Sequence, residues 1–329
     1  MHRVQSWTSR FLSYAGWAQL IKSVLFSIQV FWSQVFIIPK KVIKCIETIC
    51  RTFLWTGCVD TSKKALIVWE QVCRPRTTRG LNILDAQTWN KTAIRKLLWN
   101  MCVKKDRLWV KWVHQYYGKQ GTVWGVEAPQ ASWMVRKILQ MHQELETIGW
   151  NEMHIKQMDM FSIKKLHKDL RGEYQKVEWR RLICNNVACP KWNFILYLAL
   201  QKRLLTRDRL VAWGYVEVVQ CVLYEAEDES HNHLFFQCMF TAQVWQKILH
   251  WLNIQREARR WDEEVLWANT HCKGKQARAK VYRMAVAVSI YVMWQERNQH
   301  IFKQIIRTPG MLVRKIVQEV HLQGRKWAS

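Results

Sequence analysis

The sequence predicts a mainly α-helical fold, and three observations support this prediction. The 329 residues include only 12 glycines and 5 prolines, too few for the many turns of an all-β protein. Hydrophobic residues make up 49% of the chain, including 21 tryptophans, which excludes a wholly disordered basic polypeptide. Apolar residues also recur at helical spacing in several segments. A chain of this length is expected to form two or more compact units.

Residues 1–55 contain two helical patterns separated by a proline. In each pattern the apolar positions fall on one face, which is typical of a helix packed against a core. The first set is Leu20, Ile21, Val24, Leu25 and Ile28, and the second is Ile43, Ile46, Cys50, Phe53 and Leu54. Pro39 lies between them and predicts the boundary between two helices, because proline cannot continue the first helix and suits the start of the next.

A strongly basic segment follows. Residues 74–80 read Arg-Pro-Arg-Thr-Thr-Arg-Gly and predict a loop, and residues 81–112 are predicted to be helical. Only Asp85 and Asp106 balance the ten basic residues of this segment, which are Arg74, Arg76, Arg79, Lys91, Arg95, Lys96, Lys104, Lys105, Arg107 and Lys111. We expect these residues to contact the phosphates of a nucleic acid. The alternative is a solvated face whose charge only keeps the protein soluble.

The tryptophans of this segment have two interpretations. Trp99, Trp109 and Trp112 could stack on unpaired bases. Trp89, Trp99 and Trp109 recur every ten residues, however, close to three helical turns. That spacing suits a buried helix face, so we favour a core role for them.

The remaining segments are predicted from breakers and periodicity. Glycines and a proline within residues 118–130 mark a connector, and a tryptophan-containing unit extends over residues 149–250. Helical spacing returns in the positions Val281, Met284, Ala285, Val288, Tyr291 and Val292. Thr308-Pro309-Gly310 then predicts a break before a short basic helix that ends near Trp327.

Charge and cysteine usage indicate the partner and the compartment. Lysine and arginine number 51 against 25 acidic residues, a formal net charge of +26, which favours polyanionic partners. The N-terminal residues lack the pattern of a secretory signal, and the apolar stretch 24–38 is too short and too polar to span a membrane. Ten scattered cysteines are interpreted as reduced thiols. We therefore expect a nuclear or cytoplasmic protein that is not secreted and has no membrane partner.

One cluster of residues has the chemistry of a zinc site. Cys221 opens a turn that reads Cys-Val-Leu-Tyr, and His233 and Cys238 follow with the spacing of a second ligand pair. Zinc in proteins takes four such ligands in a tetrahedron. From spacing alone, the alternative of a buried thiol beside solvated histidines is favoured.

Several motifs resemble plant LINE-type (non-LTR) retrotransposon reverse transcriptases, in particular the zinc-binding domain that follows the polymerase. The motifs are Trp179-Arg180-Arg181-Leu182, Cys189-Pro190-Lys191, Arg203-Leu204-Leu205-Thr206-Arg207-Asp208-Arg209-Leu210, Cys221-x-x-Tyr224, Glu229-Ser230 and His233-Leu234-Phe235-Phe236-x-Cys238. Leu20-Ile21-Lys22-Ser23-Val24-Leu25 and Phe36-Ile37-Ile38-Pro39-Lys40 resemble the region after the polymerase palm, and Trp294-x-Glu296-Arg297-Asn298 resembles a helical linker toward a ribonuclease H domain. The resemblance covers nearly the whole chain.

The resemblance implies four segments. They are a thumb-like helical basic region at residues 1–117, a connector at 118–148, a small zinc-knuckle-like helical domain at 149–250 and a C-terminal helical linker at 251–329. It also implies zinc ligation by Cys221, His233 and Cys238. The family usually has a cysteine where this chain has Tyr224, and a phenol, with an ordinary pKa near 10, is a poor ligand. His231 or a water could take the fourth position, and we expect zinc to be bound weakly or lost.

Catalysis is not expected. Polymerases and ribonuclease H hold two Mg²⁺ ions between clustered carboxylates, but the eight aspartates of this chain include no adjacent pair. The chain begins within the thumb-like region, so we expect the palm to be missing. Asp262-Glu263-Glu264 fits complementation of a helix dipole better than metal binding. No glycine-rich phosphate-binding motif is present, so no small-molecule substrate is indicated.

The predicted function is therefore sequence-tolerant binding of RNA or DNA by a non-catalytic part of a retrotransposon reverse transcriptase. Two alternatives remain open. The chain could be a non-functional retroelement remnant, or it could be a host-adopted module that contacts RNA or chromatin. The sequence leaves the oligomeric state open.

Overall fold

The computed structural model describes residues 12–58, 65–103, 107–118 and 122–328. The described chain is mainly helical, which confirms the predicted fold class. Within the described residues, extended pairing is limited to isolated bridges such as the antiparallel one between Gln220 and Asp228. No helix in this part of the chain is both long and apolar enough to cross a membrane.

Seventeen α-helices are present in the described ranges. In chain order they are α1 (Tyr14–Leu20), α2 (Phe26–Ser33), α3 (Lys40–Thr56), α4 (Trp69–Cys73), α5 (Ala86–Val103), α6 (Leu108–Tyr117), α7 (Trp133–Gln140), α8 (His142–Glu146), α9 (Glu152–Lys156), α10 (Ile163–Arg171), α11 (Arg180–Cys184), α12 (Pro190–Leu200), α13 (Arg207–Ala212), α14 (Met239–Trp251), α15 (Trp261–His271), α16 (Ala277–Lys303) and α17 (Pro309–Ala328). π-Helical turns occur at Ile21–Leu25 and His233–Gln237, and a 3₁₀ turn occurs at Arg76–Thr78.

The chain divides into two compact units. The described residues of the first are 18–58, 83–103, 107–118 and 122–175, and those of the second are 12–17, 65–82 and 176–328. This division differs from the predicted boundaries at residues 117, 148 and 250. Long-range hydrogen bonds place the basic loop in the second unit, because Thr77 O accepts from the N–H of Val177 at 2.9 Å and Arg79 O accepts from the Tyr197 hydroxyl at 3.0 Å. Such distant partners are not visible in local sequence patterns.

The first unit is organised around α5. Its buried Asn90 donates to the carbonyls of Ser33 (3.2 Å) and Phe36 (2.8 Å) and accepts from the N–H of Ile38 (3.0 Å). These bonds satisfy the backbone groups of the turn that follows α2. Pro39 then immediately precedes α3, as predicted.

The apolar core of the first unit confirms part of the predicted pattern. Its fully buried members include Ile94, Leu98, Leu145, Ile155 and Leu166, and α3 buries Ile43, Cys50, Phe53 and Leu54. The first predicted face is only partly buried, since Ile21 is inaccessible but Ile28 is exposed. Trp99 is in the core, whereas Trp109 is exposed, so the core prediction is wrong for Trp109.

The predicted helix over residues 81–112 is two helices in the structure. Residues 81–85 are not helical, α5 ends at Val103, and α6 begins at Leu108. Gly80 is required before this region because a Cβ atom there would lie 1.7 Å from the carbonyl oxygen of Arg74. The preceding Arg79 has a positive φ of 70°, so the loop turns sharply before the chain enters the next segment.

The second unit is built on the long helix α16. α16 packs against α12 and α17, and α14 also packs against α17. Leu312, Ile316 and Val320 of α17 are buried at spacings of four residues, which is one helix face. The predicted helix around Val281 to Val292 is confirmed. The predicted break at Thr308-Pro309-Gly310 lies slightly earlier in the structure, at residues 304–308, because Pro309 is the first residue of α17, and α17 is 20 residues long and therefore not short.

Candidate metal centre and nucleic-acid interface

A short hairpin-like loop positions Cys221. The N–H of Cys221 donates to the carbonyl of Glu227 at 2.8 Å, and the N–H of Glu229 donates to that of Val219 at 2.8 Å. These bonds close the acidic run 225–229 back onto the cysteine. The side chain of Cys221 is fully buried as a result.

A π-helical turn positions the other two residues. The N–H of Cys238 donates to the carbonyl of His233 at 2.7 Å, which closes the turn His233–Gln237. Cys238 is then the residue immediately before the first turn of α14. The two side chains are therefore brought to one place by local backbone geometry, and both are buried.

Cys221, His233 and Cys238 converge in space. The two sulfur atoms and one ring nitrogen of His233 lie within 4.8 Å of one another. The thiols are 3.9 Å apart and hydrogen-bonded, well beyond the length of a disulfide bond. All ten cysteines carry free thiols, as predicted. The structure thus assembles the three ligands that the sequence motifs single out.

A hydrogen bond from the Cys221 thiol, together with backbone N–H groups, favours a thiolate at Cys238, although burial opposes it. The hydrogen bond from Cys221 lowers the pKa of Cys238 to about 7, and the N–H groups of Phe240 and Thr241 act in the same direction. The start of α14 adds the positive end of a helix dipole. The same thiol contact and burial raise the pKa of Cys221, whereas the N–H groups of Leu223 and Tyr224 oppose that rise.

The imidazole of His233 is oriented by an acidic neighbour. Its Nδ1 atom lies 2.9 Å from Oε2 of Glu227, and its Nε2 atom is buried with no hydrogen-bond partner in the described structure. A histidine that donates Nδ1–H to a carboxylate presents a lone pair on Nε2, as metal-ligating histidines do. Sequence reasoning missed Glu227, because it lies within a run of acidic residues that look alike.

The cluster fits a zinc ion with three protein ligands. Two thiols and one imidazole are the donors that zinc prefers, and the unpartnered Nε2 atom has no other partner to satisfy it. Tyr224 is 39% exposed. In the described chain the converging set is limited to Cys221, His233 and Cys238.

His231 is not part of this converging set. Its ring is edge-on to Trp261, with centroids 4.4 Å apart, and lies 5.1 Å from the ring of Phe235. Burial lowers the pKa of His231 to about 3, with a further contribution from Lys202. The side chain is a neutral member of an aromatic cluster, so a role as the fourth ligand would require it to leave that packing.

A buried ion pair anchors the loop of residues 219–229, which contains Cys221, to α16. Glu229 and Arg297 are 0% and 3% exposed, and the guanidinium Nη2 atom lies 2.7 Å from Oε1 of Glu229. The same carboxylate accepts from the N–H of Arg207 at 2.8 Å. Both residues occur in the motifs that resemble the retrotransposon family, but the sequence does not reveal that they are partners.

The predicted basic residues are divided between the two units. Arg74, Arg76 and Arg79 belong to the second unit and are exposed. Those in the first unit that are exposed or half-buried are Lys91, Lys96, Arg107 and Lys111. Lys104 and Lys105 lie outside the described residues.

Arg95 is not a surface cation. Its side chain is 1% exposed, and its guanidinium forms an ion pair with Glu144. Burial lowers its pKa, although Glu144 partly opposes that effect. The prediction that Arg95 contacts phosphates is therefore wrong, because α5 is the central helix of its unit and buries most of its circumference.

A second basic and aromatic surface was not predicted. The guanidinium carbon of Arg209 lies 4.8 Å from the ring centroid of Trp213, and both Trp213 and Tyr215 are exposed. A cation over an exposed indole is a common element of nucleic-acid surfaces. Arg209 lies in one of the motifs that resemble the retrotransposon family. The aromatic residues Trp213 and Tyr215, close to it in sequence, were the signal that could have predicted this surface.

The tightest acidic cluster apart from residues 225–229 has a structural role. Asp262, Glu263 and Glu264 form the first turn of α15, as predicted. Glu264 is buried and accepts two hydrogen bonds of 2.6 Å from the guanidinium of Arg256. Its carboxylate oxygens are thus engaged within the fold.

Comparison with known proteins shows which class of domain the segment around this site is similar to. Residues 161–245 match the family described as zinc-binding in reverse transcriptase. The matched segment contains Cys221, His233 and Cys238 and lies within the predicted domain 149–250. It confirms the predicted resemblance to a reverse-transcriptase zinc-binding domain.

One curated relative extends this result. A protein of Arabidopsis thaliana described as a candidate ribonuclease H protein is 30% identical over 115 residues. The similarity covers 35% of this chain and 18% of the relative, so the chain spans about a fifth of that protein's length. Together, the two similarities support a protein related to the reverse transcriptases of retroelements.

Proposed function

We propose that this chain is a nucleic-acid-binding part of a plant LINE-type retrotransposon reverse transcriptase and has no chemistry of its own. The observation that carries the proposal is the convergence of Cys221, His233 and Cys238 within a segment similar to reverse-transcriptase zinc-binding domains. The chain would act in the nucleus or cytoplasm and support binding of a template or target strand.

In this proposal a zinc ion has a structural role. When bound, zinc would join the loop that contains Cys221 to the turn and helix that contain His233 and Cys238. Structural zinc contributes directly to folding free energy. With three protein ligands, we expect weaker retention than at a four-ligand site.

Electrostatics supports a polyanionic partner. The formal charge of +26 concentrates nucleic acid around the chain. Exposed cations occur in both units, with Lys91 and Lys111 in the first and Arg74, Arg76 and Arg79 in the second. Since phosphate contacts do not discriminate sequence, binding to RNA or DNA should be sequence-tolerant.

The absence of catalysis is also part of the proposal. In each of the two acidic clusters, residues 225–229 and 262–264, a carboxylate is engaged within the fold. Glu227 is paired with His233, and Glu264 is paired with Arg256. Two-metal phosphoryl transfer requires carboxylates that are available to bind metal. The chain is expected to bind nucleic acid without cleaving or extending it.

The test is nucleic-acid binding by the full chain as salt is varied. Fluorescence anisotropy with unrelated single strands of equal length should give affinities within about tenfold of one another, since specific recognition begins near 1,000-fold. The affinity should fall with salt by about 0.7–0.9 in logarithmic slope per phosphate contacted. Affinity that does not respond to salt, or one strand preferred by ~1,000-fold, would contradict the proposal.

A further inference from the structure

A cavity of about 550 Å³ lies in the second unit, where three helix ends meet. The helices are the end of α14, the end of α15 and the start of α16. Its volume is within the range of small-molecule and nucleotide sites. The described residues of the metal cluster are not among those that line it, so it is a separate feature of the unit.

Planar side chains form much of the cavity wall. Trp251 and Trp267 are half-buried and line it, together with the exposed His271. The rings of Trp267 and His271 are stacked, with centroids 4.6 Å apart and an interplanar angle of 11°. The guanidinium carbon of Arg256 lies 4.3 Å from the Trp267 centroid. His271 is thus the accessible end of a stack of flat groups.

The surroundings of the cavity are positively charged. Residues 265–295 contain five basic residues and no acidic ones. The five are Lys273, Lys275, Arg278, Lys280 and Arg283. Arg278 lines the cavity, and its Nη2 atom donates to the carbonyl of Asn253 at 3.4 Å, a neutral acceptor that does not cancel its charge.

The loop at the cavity mouth is held in place from within. Buried Arg283 donates to the carbonyls of Cys272 (2.8 Å) and Gly274 (3.2 Å). These bonds fix the turn that presents the exposed Lys273 and Lys275. Burial raises the pKa of Cys272 to about 11, so the thiol in the cavity wall adds no negative charge at neutral pH.

We propose that this cavity binds an unpaired nucleobase of a single-stranded nucleic acid. The base would stack on Trp251 or on the accessible face of His271, and the flanking phosphates would contact Lys273, Lys275 and Arg278. Aromatic stacking beside a basic backbone contact is the general mode of sequence-tolerant single-strand binding. A paired base has both faces covered within its duplex, so this site favours single strands. The inference rests on the proposed function and assigns one contact of it to a defined place.

The test uses the full chain and a fluorescein-labelled oligouridylate of twelve nucleotides. Trp251→Leu and His271→Ala should each weaken binding by about tenfold, the loss expected for one stacked base. His250→Ala is the matched control, because His250 is an exposed histidine next to Trp251 that does not line the cavity. His271 is also exposed, so its variant tests the site even if Trp251→Leu fails to fold, which circular dichroism would show.

Charge removal gives an independent measurement. The pair Lys273→Ala and Lys275→Ala should lower the logarithmic salt slope by about 1.4, at about 0.7 per phosphate contact on a single strand. Arg259→Ala with Arg260→Ala removes the same charge from exposed positions away from the cavity lining and should leave the slope unchanged. Cross-linking with 4-thiouridine in the oligonucleotide should label peptides that contain Trp251 or His271.

Two negative results are distinguishable. If the unmodified chain binds but both stacking variants retain full affinity and cross-links map elsewhere, the cavity proposal is wrong and the proposed function stands. If the unmodified chain does not bind single strands even at low salt, the proposed function and the cavity proposal are both wrong. The cavity proposal would also be overturned if an acidic aromatic peptide bound at this cavity and the oligonucleotide did not compete with it.

Discussion

The Nδ1 atom of His233 lies 2.9 Å from the Oε2 atom of Glu227. This contact leaves the buried Nε2 atom of the same ring free of protein hydrogen bonds in the described structure. Glu227 is also tied to the cluster through its backbone, since its carbonyl accepts from the N–H of Cys221. One residue therefore holds the backbone of one candidate ligand and the side chain of another.

Glu227→Ala should lower zinc affinity by about tenfold to hundredfold, the usual loss when the outer partner of a metal-bound histidine is removed. Glu227→Gln should lose less, because its amide oxygen still accepts from Nδ1–H. Competition with a chromogenic chelator measures the affinity. Glu225→Ala removes the same charge from an exposed position of the same loop and should bind zinc normally. Equal losses in both variants would assign the effect to charge instead of orientation.

Tyr224→Cys should increase zinc affinity. Position 224 lies in the turn that donates an N–H to the Cys221 sulfur, so a thiol there is close to the existing donors. The gain should exceed the roughly tenfold to hundredfold effect of an outer partner, because a fourth thiolate completes a tetrahedral site. Mass spectrometry after dialysis against a mild chelator measures metal content.

The control for this variant is Tyr215→Cys, which adds a thiol at a more exposed tyrosine of the same unit. It should not improve retention. Stoichiometric, chelator-resistant zinc in the unmodified chain would show that another group already completes the site. No gain in Tyr224→Cys would contradict the ligand assignment.

Local patterns predicted several of the helices, and the family resemblance singled out the three candidate ligands that converge. Helical spacing located α3 and α16 because each buries one or more rows of its own residues, whereas the Thr308-Pro309-Gly310 break located α17. The family motifs that contain Cys221, His233 and Cys238 were informative where spacing alone was not, and a short loop and a single π-helical turn connect the three residues. Short-range geometry is what a sequence motif records.

Long-range partners and exposure could not be predicted in the same way. Glu229 and Arg297 are 68 positions apart, and only the packing of α16 brings them together. Counting the cations of segment 74–111 showed that the segment is strongly basic, but the count could not show that Arg95 is buried. A helix at the centre of a unit buries residues on several sides, so one apolar stripe does not reveal which of its cations reach solvent.

Glu229→Ala should destabilise the second unit by about 3–5 kcal/mol, because it leaves the buried Arg297 charge unpaired. Arg297→Ala should have a similar cost, and the double variant should cost less than the two single losses combined. Urea unfolding followed by tryptophan fluorescence measures the free energy. Glu225→Ala, at an exposed carboxylate, is the control. Strict additivity would mean that the two residues do not interact energetically.

The stability of the first unit should decrease slightly in acid. Burial lowers the pKa of His167 below its ordinary value, with Arg171 acting in the same direction. The unfolded chain then binds more protons than the folded chain once pH falls below about 6.5, so folding is disfavoured there. Because the ring is only partly buried, the loss from pH 7 to pH 5 should be below about 1 kcal/mol. His167→Gln should remove this part of the pH dependence in thermal unfolding, and an unchanged profile would contradict it.

Lys91 and Arg95 lie one helical turn apart on α5, yet they should affect nucleic-acid binding differently. Lys91 is exposed, whereas Arg95 is buried and paired with Glu144. Lys91→Ala combined with Lys111→Ala should flatten the logarithmic salt slope by about 1.4–1.8 if each contacts one phosphate. Arg95→Ala should leave the slope unchanged and instead cost about 2 kcal/mol of stability.

Anisotropy titrations at several salt concentrations, paired with urea unfolding of each variant, separate the two effects. Loss of an exposed cation changes the number of counterions released, whereas loss of a buried one changes the folded state that presents the surface. If the double lysine variant leaves the salt slope unchanged while the chain still binds, Lys91 of α5 and Lys111 of α6 do not contact phosphates. The contacts would then be sought among Arg74, Arg76 and Arg79 of the second unit, where the same pair of measurements on Arg76→Ala and Arg79→Ala should show the missing slope.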